Sequence, residues 1–150
     1  MVKEFVRVSW DNYDKYVKPF PRTKEILTSL IKHGIHVGVV TGKLRDSSFH
    51  CLDVMGLTGL IDFMVCGDDV INSKPHQEGI IKCIEHFNIL DKQKVLYIGD
   101  NNIDYLTARN AGVDVAIVKW GTRKLDSSIS PTFWLNDFME LEDIIYGENL

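Results

Sequence analysis

Lys94-Val95-Leu96-Tyr97-Ile98-Gly99-Asp100-Asn101-Asn102-Ile103-Asp104 is the stretch on which the fold turns. Its opening residues form a short, almost uninterrupted apolar run, the pattern of a strand buried on both faces. Gly99-Asp100 ends the run, and the spacing predicts a short helix over Asp104–Ala111, closed by Gly112. Val113–Val118 is then a further buried strand. Strand, helix and strand in this order imply parallel pairing through a crossover.

The same unit recurs upstream. Ile35–Val40 reads as a strand running into Thr41-Gly42-Lys43, followed by a helix from about Arg45 to Met55 that ends at Gly56. Asp62–Cys66 is a second short strand, and Gly67–Pro75 is an irregular polar loop. Glu78–Phe87 is helical, with Ile80, Ile81, Ile84 and Phe87 on the inward side. An earlier helix over Thr23–His33 carries Ile26, Leu27, Leu30 and Ile31 on one face, and Gly34 suits a left-handed terminus. Downstream, Trp120-Gly121 opens a polar loop through Pro131, and Glu140–Tyr146 closes the chain as a short helix. The expected fold is α/β, a doubly wound parallel sheet with helices on both faces.

Composition narrows the class. The chain has 150 residues, 45% hydrophobic and 25% charged, which is ordinary for one globular domain and excludes disordered or fibrous proteins. Seventeen Lys and Arg against twenty-one Asp and Glu give net −4 with no basic block, so no nucleic-acid partner is expected. Cys51, Cys66 and Cys83 are odd in number and lie in apolar stretches, which predicts buried reduced thiols. No apolar run is long enough to span a bilayer, and the charges within residues 3–18 do not suit a signal peptide. The expected location is the cytoplasm, with no membrane partner.

In open α/β sheets, ligands bind beyond the carboxyl ends of the strands. Thr41-Gly42-Lys43 stands at one such end: a hydroxyl, a glycine whose amide can approach an anion, and a cation. Asp100 and Asp104 stand at another, four residues apart at a strand-to-helix turn. Paired hard oxygens there suit Mg²⁺, which takes few protein carboxylates and keeps waters or phosphate oxygens. Between them lies Lys74-Pro75, with a lysine that can act as a point charge for phosphate. Singly, each has a bland reading: Asp100 as a helix cap, Lys74 as a solvated loop lysine, Thr41 as a strand end. Together they predict a site for phosphate (Thr41, Gly42 and Lys74) and for Mg²⁺ (Asp100 and Asp104).

These residues carry a resemblance. Val39-Val40-Thr41-Gly42-Lys43, then Lys74-Pro75 after Cys66-Gly67-Asp68-Asp69-Val70, then Ile98-Gly99-Asp100 through Asp104, resemble in order the second, third and fourth motifs of the haloacid dehalogenase superfamily. Ala111-Gly112-Val113 and Val118-Lys119-Trp120-Gly121 are similar to its phosphoglycolate phosphatase and pyrophosphatase branch. The resemblance implies a Rossmann-like core and Mg²⁺-dependent hydrolysis of a small phosphate ester or pyrophosphate. In that family an aspartate attacks phosphorus, and water hydrolyses the resulting phosphoaspartate. It further implies that Thr41 and the Gly42 amide hold a phosphoryl oxygen and that Lys74 neutralises phosphate and orients the nucleophile. Asp100 would bind Mg²⁺, supported by Asp104 directly or through water.

The family's first motif, Asp-x-Asp-Gly-Thr, does not occur in this sequence. Two alignments of the N-terminus are open. In one, Ser9-Trp10-Asp11-Asn12 is a decayed first motif, but Lys3, Glu4 and Arg7 do not suit a central buried strand. In the other, Val2, Val6, Trp10, Tyr13 and Val17 form the stripe of a helix, a remnant of the family's cap over residues 1–18, ahead of an incomplete core over 19–150. Helical periodicity favours the second. A chain truncated in this way would lack the nucleophile, the central strand and most of the cap, and would be inactive or incomplete alone. Its open edges predict self-association or a partner chain filling the gap. The rival expectation is a catalytically dead remnant that binds phosphate or metal. The five histidines lack metal-ligand spacing and are expected at the solvated surface, with Arg45-Asp46 as a surface pair and Asp68-Asp69 either orienting Lys74 or solvated. Trp10, Trp120 and Trp134 are expected to be packing residues.

Overall fold

The computed structural model describes residues 18–121 and 123–147 in full, and Val2–Lys3 as backbone. In chain order the elements are β1 (Val2–Lys3), α1 (Thr23–Lys32), β2 (Gly38–Val40), α2 (Arg45–Val54), β3 (Phe63–Val65), α3 (Glu78–His86), β4 (Leu96–Gly99), α4 (Asn102–Ala111), β5 (Asp114–Val118), β6 (Phe133–Leu135) and α5 (Glu140–Tyr146). All strand pairs are parallel. One sheet runs β1-β2-β3, the other β4-β5-β6, and the two abut where β1 lies against β4. The order across the molecule is therefore β3-β2-β1-β4-β5-β6. Chain direction across the sheet reverses between β1 and β4, the place where open α/β sheets form a ligand crevice.

Side chains alternate across the strands and build two cores. Val39, Met64, Ile98 and Val118 face α1, α2 and α5, whereas Val40, Val65, Tyr97 and Ile117 face α3 and α4. This is the doubly wound arrangement expected. Ile26, Leu27 and Leu30 of α1 are fully buried, but Ile31 remains 41% exposed. Gly34 and Gly112 end their helices at φ 73°, a region glycine enters without a Cβ clash. The three cysteines are free and buried. No helix of the described residues is long and apolar enough to cross a membrane.

Several expectations change. The strand predicted from Ile35 begins at Gly38, because the segment before it is tied instead by Asp62, whose Oδ2 accepts the Val37 amide at 2.8 Å. Strand β6 was not anticipated: three residues in a polar stretch give too little alternation to read. The helix expected over 1–18 is not seen at Val2–Lys3, where the chain is extended and pairs Val2 with Gly38 and Lys3 with Val39. The central place between β2 and β4 is thus taken by a two-residue strand rather than left open. The rest of that helix, and the Ser9–Asn12 alternative, lie outside the described residues. Ile35, His36, Val95 and Leu96 are among the residues that line a cavity of about 770 Å³.

All five histidines are exposed, as expected, and three of them also stack on aromatic rings. His86 stacks on Phe63 with ring centroids 3.7 Å apart, His36 on Phe87 at 4.8 Å, and His33 on Tyr146 at 4.0 Å. Trp120 does pack, edge-on to Phe138 and Phe20.

Candidate functional site

The carboxyl ends of β2, β3 and β4 collect the residues singled out by sequence. Thr41 follows β2 and is held there by its amide, which donates to the Val65 carbonyl at 3.0 Å. Its Oγ1 accepts the Lys43 amide at 3.2 Å, curling the Thr41–Lys43 turn. Thr41, Gly42, Ser73 and Lys74 line one small cleft. Ser73 had no distinguishing signal in the sequence, since a loop serine is common.

Lys74 links this cleft to the acidic turn. Its Nζ donates to Asp104 Oδ1 at 3.1 Å, with the lysine side chain 14% exposed and the aspartate 2%. The other oxygen, Oδ2, accepts the Asp100 backbone amide at 3.0 Å. Asp104 therefore connects Lys74 to the Asp100 main chain, and all five predicted residues fall into one contiguous group. Burial pushes the Lys74 ammonium below the ordinary lysine range, Asp104 and then Asp100 pull it back, and Arg123 adds to the downward push. An incoming anion would restore some of the stabilisation the ammonium loses with its water.

The bland reading of Asp100 as helix cap is displaced by its neighbour. Asn101 is the cap of α4: its Oδ1 accepts the Asp104 amide at 2.9 Å, and its Nδ2 donates to Asp100 Oδ1 at 3.2 Å. An asparagine between strand and helix is a recognisable cap signal, which the two nearby aspartates mask in the sequence. The carboxylates at the turn, Asp100 and Asp104, offer hard oxygens of the kind that suits a cation such as Mg²⁺.

The loop that carries Lys74 is fastened at several points. Asp69 accepts the Cys66 amide at 2.8 Å and pairs with the Arg45 guanidinium, while Asp68 Oδ1 accepts the Arg45 amide at 2.9 Å. Arg45 thus pairs with Asp69 of a distant loop rather than with Asp46; Asp69 anchors the loop from a partly buried position, and Asp68, exposed to solvent, accepts the Arg45 amide. Lys74–Pro75 is a cis peptide, and the Pro75 carbonyl accepts Asn110 Nδ2 at 2.8 Å. Glu78 accepts the Ile71 amide at 3.0 Å and the Asn72 amide at 2.8 Å.

Those two amides hold the Glu78 carboxyl down to about 2, from an ordinary 4.5. A folded-state pKa below the unfolded one stabilises the loop fully above about 4.5 and is lost as pH falls toward 2. In NMR titrations the Ile71 and Asn72 amide shifts are therefore expected to move together with a midpoint near 2. A midpoint near the ordinary glutamate value, or the same movement in Glu78→Gln, would refute this clamp.

Comparison with known proteins relates the chain to one family. The profile of haloacid dehalogenase-like hydrolases matches residues 1–118. Pyrophosphatase PpaX of Halalkalibacterium halodurans is 31% identical over 147 residues, covering 97% of this chain and 68% of that protein. Phosphoglycolate phosphatase of Aquifex aeolicus is 32% identical over 148 residues, covering 94% and 68%. Among solved structures, a hydrolase of the haloacid dehalogenase superfamily from Geobacter sulfurreducens superposes with TM-score 0.72 at 25% identity, over 84% of this chain and 60% of its own. The chain thus spans about two thirds of these curated relatives and less than two thirds of that solved structure.

Proposed function

The chain belongs to the haloacid dehalogenase-like hydrolases, and from that premise we propose that it is the phosphate-handling core of a Mg²⁺-dependent hydrolase for small phosphate monoesters or pyrophosphate, located in the cytoplasm. The observation that carries the reading is the continuous contact from the Thr41–Gly42 cleft through Lys74 and Asp104 to Asp100. In this reading the Thr41 hydroxyl and the Gly42 amide hold one phosphoryl oxygen. Lys74 neutralises the phosphoryl charge from a buried position, where a cation acts more strongly than in water. Asp100 holds Mg²⁺, and Asp104 keeps both Asp100 and Lys74 in place. When bound, the ion supplies Lewis-acid stabilisation of the transferring group.

The names of the relatives support phosphate esters and pyrophosphate as the substrate class. The sequence contains no Asp-x-Asp-Gly-Thr, and no attacking carboxylate is assigned. We therefore expect tight handling of phosphate with weak turnover by these 150 residues alone. The shortness of β1, two residues beside β2, further supports a proposal that a second copy or a partner chain completes the sheet. Sedimentation showing only monomer at working concentrations would oppose that part.

The test measures phosphate release from p-nitrophenyl phosphate with Mg²⁺, alongside calorimetric binding of inorganic phosphate. Mg²⁺-dependent phosphate binding that is lost in Lys74→Ala supports the reading. Turnover that is abolished by Asp100→Asn shows a competent enzyme, whereas binding without turnover favours a binding protein built on the same site. Absence of both turnover and phosphate binding would overturn the proposal.

A further inference from the structure

Asp100 and Asp104 share one turn and are held for different tasks. Both oxygens of Asp104 serve the protein: Oδ1 accepts the Lys74 ammonium and Oδ2 the Asp100 amide. Asp100, only 7% exposed, is gripped through one oxygen by its neighbour, since Asn101 Nδ2 donates to Asp100 Oδ1 at 3.2 Å. The cap settles which way the Asn101 amide points. Its oxygen must face the Asp104 backbone N–H, 2.9 Å away, so its NH₂ group is left facing Asp100. One side chain therefore caps a helix and sets the rotation of a carboxylate.

The other side of Asp100 is bounded by Gly121. A Cβ at that position would stand 3.1 Å from the Asp100 Cβ and 3.8 Å from its Oδ2. Gly121 does not adopt a positive φ, so its backbone conformation has no need of glycine. What the missing side chain leaves is room beside Oδ2. The carboxylate is thus held at Oδ1 and given space at Oδ2.

We propose that Asn101 and Gly121 are positioning residues for the cation: Asn101 locks the Asp100 carboxylate through Oδ1, and Gly121 keeps the space beside Oδ2 open to Mg²⁺. This rests on the Mg²⁺ site proposed above and names what tunes it. A hydrogen bond to a ligating carboxylate fixes its orientation, and losing such a support costs about ten- to a hundredfold in metal affinity. Neither residue is one of the phosphate-holding group of Thr41, Gly42 and Lys74, so the effect falls on the cation.

The test titrates MgCl₂ alone into the chain and follows the backbone amide resonances of Gly99 to Asp104 by NMR. Asn101→Ser keeps a cap acceptor for α4 but lacks the second arm that donates to Asp100. Gly121→Ala sets a methyl group against Asp100. In each variant the Mg²⁺ concentration at half-saturation is expected to rise by about tenfold or more, with a denaturant midpoint close to the parent's. Gly59→Ala is the control: no atom lies within 4 Å of its added Cβ, and it should bind Mg²⁺ as the parent does. A second titration, of inorganic phosphate at saturating Mg²⁺, separates positioning from a general loosening of the turn. Excess cation should restore phosphate binding in both variants.

Unchanged Mg²⁺ affinity in either variant overturns the inference for that residue. Phosphate binding that excess Mg²⁺ fails to restore overturns it as well, because the turn itself has then given way. In both cases, Mg²⁺ binding by the parent that is lost in Asp100→Asn leaves the cation site standing. A parent chain whose resonances do not respond to Mg²⁺ overturns both readings.

Discussion

Asp104→Asn is expected to destabilise the chain by about 3–5 kcal/mol, because it removes one partner of a buried ion pair and leaves the other. Lys74 remains largely enclosed, with the Asp104 counter-charge gone. An asparagine also cannot satisfy both of its contacts, since one carboxylate oxygen faces the Lys74 ammonium and the other the Asp100 amide. The amide nitrogen must then point a donor at a donor. For a chain of this length the loss corresponds to a fall in Tm of roughly 10 °C. Denaturant unfolding should show a lower midpoint with an unchanged slope, and phosphate binding should fall with it. The double variant Asp104→Asn/Lys74→Met should regain much of the stability, since it also removes the buried charge that faced Asp104. It should regain none of the phosphate binding. A single variant as stable as the parent would refute the role given to this pair.

Gly99→Ala carries the second large effect, and its cause is steric. A Cβ on Gly99 would stand 2.2 Å from the Asp104 Cβ and 2.4 Å from its Cγ and Oδ2. The obstructing Cβ is fixed to the backbone of α4, so no rotamer change relieves the overlap. The end of β4 and the first turn of α4 must separate. The cost should reach or exceed the upper end of ordinary overpacking, about 3 kcal/mol. The separation also pulls Asp104 from Lys74, so phosphate binding should be lost at denaturant concentrations where the variant is still folded. Gly42→Ala is the matched control: nothing lies within 4 Å of the position its Cβ would take, and the stability change should stay within about 0.5 kcal/mol. If Gly99→Ala proves as mild as Gly42→Ala, the close approach of β4 and α4 is not real.

Both effects arise at positions whose importance the sequence showed only in outline. Asp100 and Asp104 were legible as a pair because they follow an apolar strand at a turn, where open α/β sheets bind ligands. Their separate tasks were not. Asp104 has Lys74 as its partner across thirty residues, and nothing local distinguishes it from a metal ligand. Asn101 takes the capping task that could have fallen to Asp100. Arg45 offered the same difficulty: its neighbour Asp46 was the natural partner in sequence, and Asp69 is the partner in space.

The sequence by itself determined the alternation of helices and parallel strands, the two-faced core and the group of residues at the strand ends. These follow from periodicity, from glycine at helix termini and from short apolar runs, all of which act within a few residues of the chain. Tertiary structure alone decided that Val2–Lys3 takes the place between β2 and β4, that Phe133–Leu135 adds a sixth strand, and that Lys74, Asp104 and Asp100 form one connected network. The reason is physical. A buried charge must find its counter-charge wherever packing brings one, and strand order, not distance along the chain, sets which residues can meet.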